Sequence, residues 1–130
     1  MTPEKILKRR WGYSGFRPLQ REAINAALSG RDCLVVLPTG GGKSLCYQLP
    51  AAAGNGLVLV VSPLIALMDD QVAAARETGL SAEALHSNLK AAQKKAVYHN
   101  LSSGVTELLY VSPERLLAGD LNGLIASRLA

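Results

Sequence analysis

The residues of this sequence best suited to chemistry lie between positions 37 and 44, where LPTGGGKS places three glycines directly before a lysine and a serine. Glycine adopts positive φ values and lets the backbone approach an anion closely. At these offsets a lysine ammonium reaches phosphate oxygens and a hydroxyl binds Mg²⁺. A glycine-rich turn without a ligand needs neither side chain at these positions, so the pattern favours a phosphate-binding loop.

The loop departs from the general pattern GxxxxGK[ST] at its first position, where Leu37 replaces glycine. We therefore expect the residues after Leu37 to shape the first part of the loop. Lys43 is the predicted catalytic side chain, and Ser44 is the predicted Mg²⁺ ligand. The predicted phosphate site consists of Pro38, Thr39, Gly40, Gly41, Gly42, Lys43 and Ser44.

A second candidate site lies upstream, in WGYSGFRPLQ. A tyrosine ring stacks on a base, and a glutamine amide pairs with the N6 and N7 edge of adenine. Tyr13, Arg17 and Gln20 are the candidates for an adenine site. The alternative, which spacing alone favours, is that Trp11, Tyr13 and Phe16 pack the N-terminal helix onto the domain.

The elements that must position these residues alternate between strands and helices. Three continuous apolar runs, at 33–37, 57–61 and 107–111, are typical of strands buried on both faces of a parallel sheet. A further short strand is predicted at 82–86. Helices are predicted at 3–10, from Pro18 to Ser29-Gly30, and near 43–53, 63–78 and 90–102. The alternation predicts an α/β fold with a mostly parallel sheet.

Each of the three apolar runs ends where a helix is predicted to begin. Two of these junctions read Ser62-Pro63 and Ser112-Pro113, which suits an N-cap followed by the first helical residue. The carboxyl ends of parallel strands share one edge, where ligands bind, and helix N-termini attract anions. The sequence therefore predicts three anion-binding strand–helix junctions at one edge of the sheet, although Ser-Pro also commonly begins a helix that binds no ligand.

Composition limits the class of protein. The 130 residues, 48% hydrophobic and 18% charged, suffice for one small domain with a core. No apolar run reaches the roughly 18 residues of a membrane span, and no apolar segment follows the basic start. We expect a soluble intracellular protein. Cys33 and Cys46 are predicted to be buried thiols rather than zinc ligands.

The net charge is +4 and the pI about 9.3, and the excess of positive charge lies at the start of the chain. A basic N-terminal region is compatible with a polyanionic partner, although solvated basic faces are common. The basic residues of the first 21 positions are Lys5, Lys8, Arg9, Arg10, Arg17 and Arg21.

Four segments together resemble the RecQ family of DNA helicases in superfamily 2. WGYSGFRPLQREAI resembles its motif 0, LPTGGGKSLCYQLPA its motif I, VVSPLIALMDDQV its motif Ia and LLYVSPERL its motif Ib. The likeness runs from about residue 6 to residue 118, in the family's order and spacing. Trp11 stands where the family usually has phenylalanine, and the family tolerates a large apolar residue at the position of Leu37.

The resemblance implies a fold, a reaction and a role for each matching residue. The fold is a RecA-like P-loop NTPase domain, and the family unwinds duplex DNA from 3′ to 5′ with ATP and Mg²⁺, in recombination and repair. Tyr13, Arg17 and Gln20 would contact adenine, and Lys43 and Ser44 would hold the triphosphate and Mg²⁺. The residues that would face single-stranded DNA are Ser62, Pro63, Gln71, Ser112, Pro113 and Arg115.

Hydrolysis in this family also needs a DEAH element, which residues 1–130 do not include. We expect the chain to be the N-terminal part of the first motor domain and to hydrolyse no ATP by itself. The strand before the glycine run is then expected to lose neighbours and expose apolar edges. Asp69-Asp70 supplies the catalytic acid only in the less favoured case that LIALMDD, residues 64–70, forms a strand.

Two other functions stay open at the level of sequence. One is a short module that binds nucleotide or DNA without turnover. The other is a P-loop ATPase that acts on something other than nucleic acid, against which the two Ser-Pro junctions and the basic N-terminal region argue.

Overall fold

The computed structural model describes residues 2–37, 42–54 and 56–118, and the chain divides into two compact units. Unit 1 comprises residues 1–55 and unit 2 comprises residues 56–130. Pro38, Thr39, Gly40 and Gly41 of the predicted phosphate site lie outside the described residues, as do residues 119–130.

Unit 1 contains three helices: α1 (Pro3–Trp11), α2 (Gln20–Leu28) and α3 (Leu45–Ala52). All three were predicted, with ends that differ by one or two residues. Their apolar sides meet in one cluster. The buried members of the cluster are Ile6, Leu7, Ile24, Leu45 and Leu49.

The ends of α1 follow from capping chemistry. The hydroxyl of Thr2 accepts a hydrogen bond from the backbone N–H of Lys5, which satisfies one of the unpaired N–H groups of the first turn. Gly12 ends the helix with φ +74°, a conformation that glycine adopts without a steric penalty, and its N–H donates to the carbonyl of Lys8. The chain then leaves the helix axis and enters the segment that carries Tyr13.

The predicted strand at 33–37 is wrong. No strand is assigned there, and Leu34 and Val36 are 93% and 81% exposed. A strand requires a neighbour for its backbone hydrogen bonds, and the described residues supply none to this segment. The exposure agrees with the expectation of open apolar edges. It also corrects the prediction for Cys33, whose thiol is exposed because it belongs to this segment.

Unit 2 is an alternating α/β structure, as predicted. Its strands are β1 (Val58–Val61), β2 (Ala82–Leu85) and β3 (Leu108–Val111), and its helices are α4 (Ile65–Glu77), α5 (Ala91–Ser103) and α6 (Pro113–Leu117). The strands form a parallel sheet in the order β1-β3-β2. The further strand predicted at 82–86 is thereby confirmed.

Both faces of the central strand β3 are buried. Leu109 and Val111 belong to a buried cluster with residues of α5, including Val97. Leu108 and Tyr110 point to the opposite face, because side chains alternate along a strand, and they are buried as well. Both α4 and α5 contact β2. The continuous apolar sequence of β3 agrees with this burial, whereas β1 is half-buried and ends at the 48% exposed Val61, so the prediction that 57–61 is buried on both faces is wrong.

The register of the sheet brings the ends of β1 and β3 together. Val61 pairs with Val111, and the N–H of Ser62 donates to the carbonyl of Val111 at 3.0 Å. The two Ser-Pro junctions therefore follow directly from the carboxyl ends of neighbouring parallel strands, as predicted. Within the part of the chain described, no helix has both the length and the apolar character of a membrane span.

Candidate nucleotide and nucleic-acid sites

The described part of the predicted phosphate loop, residues 42–44, leads straight into α3. The side chains of Lys43 and Ser44 are exposed, and the Ser44 hydroxyl makes no capping hydrogen bond. The carbonyl of Ser44 accepts from the N–H of Gln48 at 2.9 Å, so the helix is formed from this residue on. No acidic residue occupies its first turn. The positive end of the helix dipole is thus left available to an anion.

Gly42 is constrained by its backbone conformation and by its surroundings. Its φ of +79° lies in the left-handed region, where a residue with a Cβ is strained. A Cβ at this position would also lie 2.3 Å from the side-chain nitrogen of Gln20. The last glycine before Lys43 is therefore required by the protein itself, apart from any ligand.

Gln20 joins the upstream segment to the phosphate loop. Its Nε2 donates to the carbonyl of Gly42 at 3.0 Å, and its Oε1 accepts from the N–H of Arg17 at 2.8 Å. The residue is 3% exposed and is the first residue of α2. Leu19 precedes Gln20 and has a φ of +70°, a value that is uncommon for residues other than glycine. Sequence reasoning selected Gln20 for adenine and missed its contact with Gly42, because the two residues are 22 positions apart.

The aromatic residues of the upstream segment divide between packing and exposure. Trp11 and Phe16 pack against the core cluster of unit 1, as the alternative interpretation held for them. Tyr13 is 58% exposed and Arg17 is exposed. The structure therefore leaves the Tyr13 ring accessible for stacking, and the adenine role of Tyr13, Arg17 and Gln20 stays a prediction.

The two cysteines of unit 1 are free thiols in different environments. Cys46 lies in α3, three residues after Lys43, and is half-buried. Burial raises the pKa of the Cys46 thiol, and the neighbouring Cys33 raises it further. The Cys46 thiolate, which is the reactive form, is consequently disfavoured.

The two Ser-Pro junctions of unit 2 differ in structure. Pro113 is the first residue of α6, and the Ser112 hydroxyl caps that helix by accepting from the N–H of Arg115 at 3.3 Å. The prediction that Ser112 caps a helix beginning at Pro113 is confirmed. Ser112 is buried, however, so its hydroxyl supports the helix rather than facing solvent.

The prediction that Pro63 opens a helix is wrong. The Ser62 hydroxyl accepts from the N–H of Leu64 at 3.2 Å, and Leu64, with ψ +69°, stands outside the helical conformation. Helix α4 begins one residue later, at Ile65. Ser62-Pro63 is therefore a tight turn with an exposed proline and a half-buried serine.

Helix α4 carries three residues that the sequence singled out. Asp69 and Asp70 are exposed on this helix, which rules out the catalytic strand considered for them. Gln71 is half-buried, and its Oε1 is enclosed without a hydrogen-bond partner in the described structure. Asp69 also lies 3.7 Å from Nε2 of the buried His86, a pair that no sequence pattern indicated.

Arg115 packs within unit 2. Its guanidinium donates to the hydroxyl of Tyr98 on α5, and the residue is half-buried. Sequence reasoning missed this partner, since nothing local connects positions 98 and 115. Arg115 therefore holds α6 against α5, and its predicted contact with DNA stays a prediction.

The sequence matches a family model described as DEAD/DEAH box helicase over residues 17–127. The ATP-dependent DNA helicase RecQ of Synechocystis is 56% identical over 115 residues, which cover 88% of this chain and 24% of that protein. RecQ of Haemophilus influenzae is 49% identical over 125 residues, which cover 96% of this chain and 20% of that protein. The ATP-dependent helicase SGS1 of Saccharomyces cerevisiae is 44% identical over 119 residues, which cover 88% of this chain and 8% of that protein. The chain thus spans about a quarter or less of these relatives' lengths.

Solved structures with the same fold are also helicases. The crystal structure of a hypothetical ATP-dependent RNA helicase from Sulfolobus tokodaii superposes with a TM-score of 0.68 at 24% identity, over 95% of this chain and 37% of that one. The RNA helicase Prp28 from Chaetomium thermophilum bound to ADP gives 0.65 at 25% identity, over 95% and 32%. These likenesses show that the fold is RecA-like.

Proposed function

Because this chain belongs to the DEAD/DEAH box helicase family, we propose that it forms the nucleotide-binding and DNA-contacting front part of an ATP-dependent DNA helicase of the RecQ type. The observation that carries the proposal is the hydrogen bond from Gln20 to the carbonyl of Gly42. This bond joins the predicted adenine segment to the predicted phosphate loop, which supports a single nucleotide site in unit 1. The curated relatives named RecQ are DNA helicases, which favours DNA as the nucleic acid.

The residues described around the predicted phosphate loop fit a nucleoside triphosphate with its metal ion. The exposed Lys43 ammonium suits the β- and γ-phosphates, and the Ser44 hydroxyl, which caps nothing, suits Mg²⁺. When bound, Mg²⁺ supplies positive charge that stabilises the charge developing on the phosphate oxygens. The chain's own contribution is to position the phosphates: Gly42 lets the backbone turn, and the first turn of α3 supplies the positive end of its helix dipole.

Tyr13 and Arg17 complete the nucleotide site in this proposal. The exposed Tyr13 ring stacks on adenine, and Gln20 contacts the edge of the base while it bonds Gly42. A glutamine amide has two N–H donors and two acceptor sites. The bond to Gly42 uses one donor of the Gln20 amide, and the bond from Arg17 uses one acceptor site. One donor and one acceptor site are left, which is what adenine N6 and N7 require.

The DNA contacts are proposed for the edge of unit 2 at which β1 and β3 end. Ser62, Pro63 and Gln71 form the first group, in which Pro63 is exposed and the other two residues are half-buried. Ser112, Pro113 and Arg115 form the second group. Ser112 acts there by holding the first turn of α6, because its hydroxyl is buried and used as a cap.

The whole protein that contains this chain is proposed to unwind duplex DNA from 3′ to 5′. It would work where the chromosome is, at the nucleoid of a bacterium or in a nucleus. The neighbouring ends of β1 and β3 support a continuous track for one DNA strand.

The nucleotide part of the proposal is tested by Lys43→Ala. Loss of a charge-assisted contact with phosphate costs about 1.5–3 kcal/mol, so we expect the affinity for a fluorescent ATP analogue with Mg²⁺ to fall roughly 10- to 150-fold. Fluorescence titration of the chain measures this. Lys95→Ala, which removes an exposed lysine of α5, is the matched control and is expected to leave the affinity unchanged. Equal affinity for Lys43→Ala and the unchanged chain would remove the phosphate-site assignment.

A further inference from the structure

We propose that a basic surface of α1, formed by Lys5, Lys8 and Arg9 and named here the α1 face, binds the phosphate backbone of double-stranded DNA. The inference takes DNA as the partner from the proposed function. It adds a contact with the duplex, on an element for which that function assigns no role.

The α1 face is a continuous side of the helix. Its three residues are spaced i, i+3 and i+4, which places them on one side of an α-helix, and all three are exposed. Ile6 and Leu7 are buried in the core of unit 1 and fix which side points outward. The three cations lie within about 6 Å along the helix axis. Duplex DNA carries a phosphate charge about every 1.7 Å of its axis, so the whole face can meet phosphates at once.

The positive charge of the α1 face is not neutralised by its own element. The acidic residue of α1, Glu4, forms an ion pair with Arg21 of α2. In the described parts of the chain, no ion pair involves Lys5, Lys8 or Arg9. The positively charged groups are therefore available to an external anion.

The charge of the whole chain is concentrated in the same unit. Residues 1–55 hold eight of the 14 Lys and Arg side chains but three of the 10 Asp and Glu side chains. Unit 1 thus has a formal charge of +5 and unit 2 a formal charge of −1, from the same counts. A positive unit steers a polyanion toward its own surface, and the α1 face is its densest exposed run of cations.

The chemistry of the α1 face favours a duplex over a single strand. Proteins bind single strands by combining positive charge with aromatic side chains on which bases stack. The aromatic residue of α1, Trp11, packs on the core cluster and is only half-exposed. The face therefore offers cations on a regular helix and no stacking platform, which suits phosphates whose bases are paired and inaccessible.

The test compares two variants that remove the same charge. Lys5→Gln/Lys8→Gln alters the α1 face, and Lys94→Gln/Lys95→Gln alters α5 in unit 2. Binding of this chain to a labelled mixed-sequence duplex, and to one of its strands alone, is measured by fluorescence anisotropy between about 50 and 200 mM salt. For the duplex we expect the α1 variant to bind several-fold more weakly, with a log–log salt slope shallower by about 2, and the α5 variant to match the unchanged chain.

A third variant and a folding control make the result decisive. Lys5→Arg/Lys8→Arg keeps the charge and is expected to keep duplex affinity, and far-UV circular dichroism checks that each variant is as helical as the unchanged chain. The proposal is overturned if the unchanged chain binds no duplex, if the α1 variant keeps its duplex slope, or if only its single-strand slope changes. Single-strand binding by the unchanged chain reports separately on the proposed function.

Discussion

At the scale of single residues, the side chain of Gln20 serves two purposes through one amide group. Its amide holds the backbone of Arg17 and the carbonyl of Gly42, and the same amide is proposed to contact adenine. Because Gln20 is buried, each hydrogen bond that it loses leaves a partner poorly hydrated, which is costly. Nucleotide binding and the local structure of the phosphate loop are therefore coupled through one side chain.

Two substitutions of Gln20 separate these purposes. Gln20→Ala removes both hydrogen bonds, and we expect a loss of about 1–3 kcal/mol in the free energy of unfolding together with weaker binding of the fluorescent ATP analogue. Gln20→Glu keeps the acceptor for Arg17 but removes the donor to Gly42 and places a negative charge beside the phosphate site. We expect Gln20→Glu to weaken nucleotide binding at least as much as Gln20→Ala.

Thermal unfolding and fluorescence titration measure the two effects. Gln93→Ala is the control, because Gln93 is an exposed glutamine of α5 whose side chain accepts from the N–H of Lys90. Gln93→Ala should remove a hydrogen bond that caps the start of α5 and leave nucleotide affinity unchanged. If Gln20→Ala left both the stability and the affinity at the level of the unchanged chain, the proposed coupling would be wrong.

At the scale of elements, β2 shows how an open strand edge is protected. This strand has one neighbour in the described sheet, and its other side is contacted by Arg76 of α4. The Arg76 Nε donates to the carbonyl of Ala82 at 3.0 Å, and its Nη2 lies 3.4 Å from the carboxylate of Glu83. The exposed ion pair contributes little, but the occupied carbonyl is one fewer acceptor for the strand of another molecule.

Removing this cover should promote self-association. We expect Arg76→Ala to increase aggregation on warming or at high protein concentration, because the Ala82 carbonyl then lies open at the edge of β2. Light scattering and sedimentation velocity measure the effect. Arg31→Ala, which removes an exposed arginine of unit 1, should scatter like the unchanged chain. Equal scattering by the two variants would show that Arg76 does not protect the edge.

Local patterns predicted the helices and three of the four strands, since capping and apolar periodicity act over a few residues. The exception, 33–37, has the composition of a buried strand but no neighbour in the described structure. A strand depends on its partner, and a local pattern cannot supply one. The site contacts that were missed, Gln20 with Gly42 and Arg115 with Tyr98, join residues 22 and 17 positions apart. Such pairs are set by packing and leave no periodic signal.

At the scale of the whole molecule, the nucleotide residues and the proposed DNA residues belong to different compact units. Unit 1 holds the predicted phosphate loop, Gln20 and the excess of positive charge, whereas unit 2 holds the sheet and both Ser-Pro junctions. Motif order predicted both groups of residues and composition predicted the basic N-terminal region, but neither indicated a division into two compact units. The chain spans 24% of the length of the Synechocystis relative, so the unwinding activity of a whole helicase stays a proposal.

The most direct test of the proposed function is strand separation by the natural protein that contains this chain. With ATP and Mg²⁺ it is given two short duplexes, one with a 3′ single-stranded tail and one with a 5′ tail, and release of the labelled strand is followed on a gel. The account predicts that the 3′-tailed duplex is unwound and the 5′-tailed duplex is not, and that Lys43→Ala abolishes unwinding. Unwinding without ATP, by the Lys43→Ala protein, or of the 5′-tailed duplex alone would contradict it.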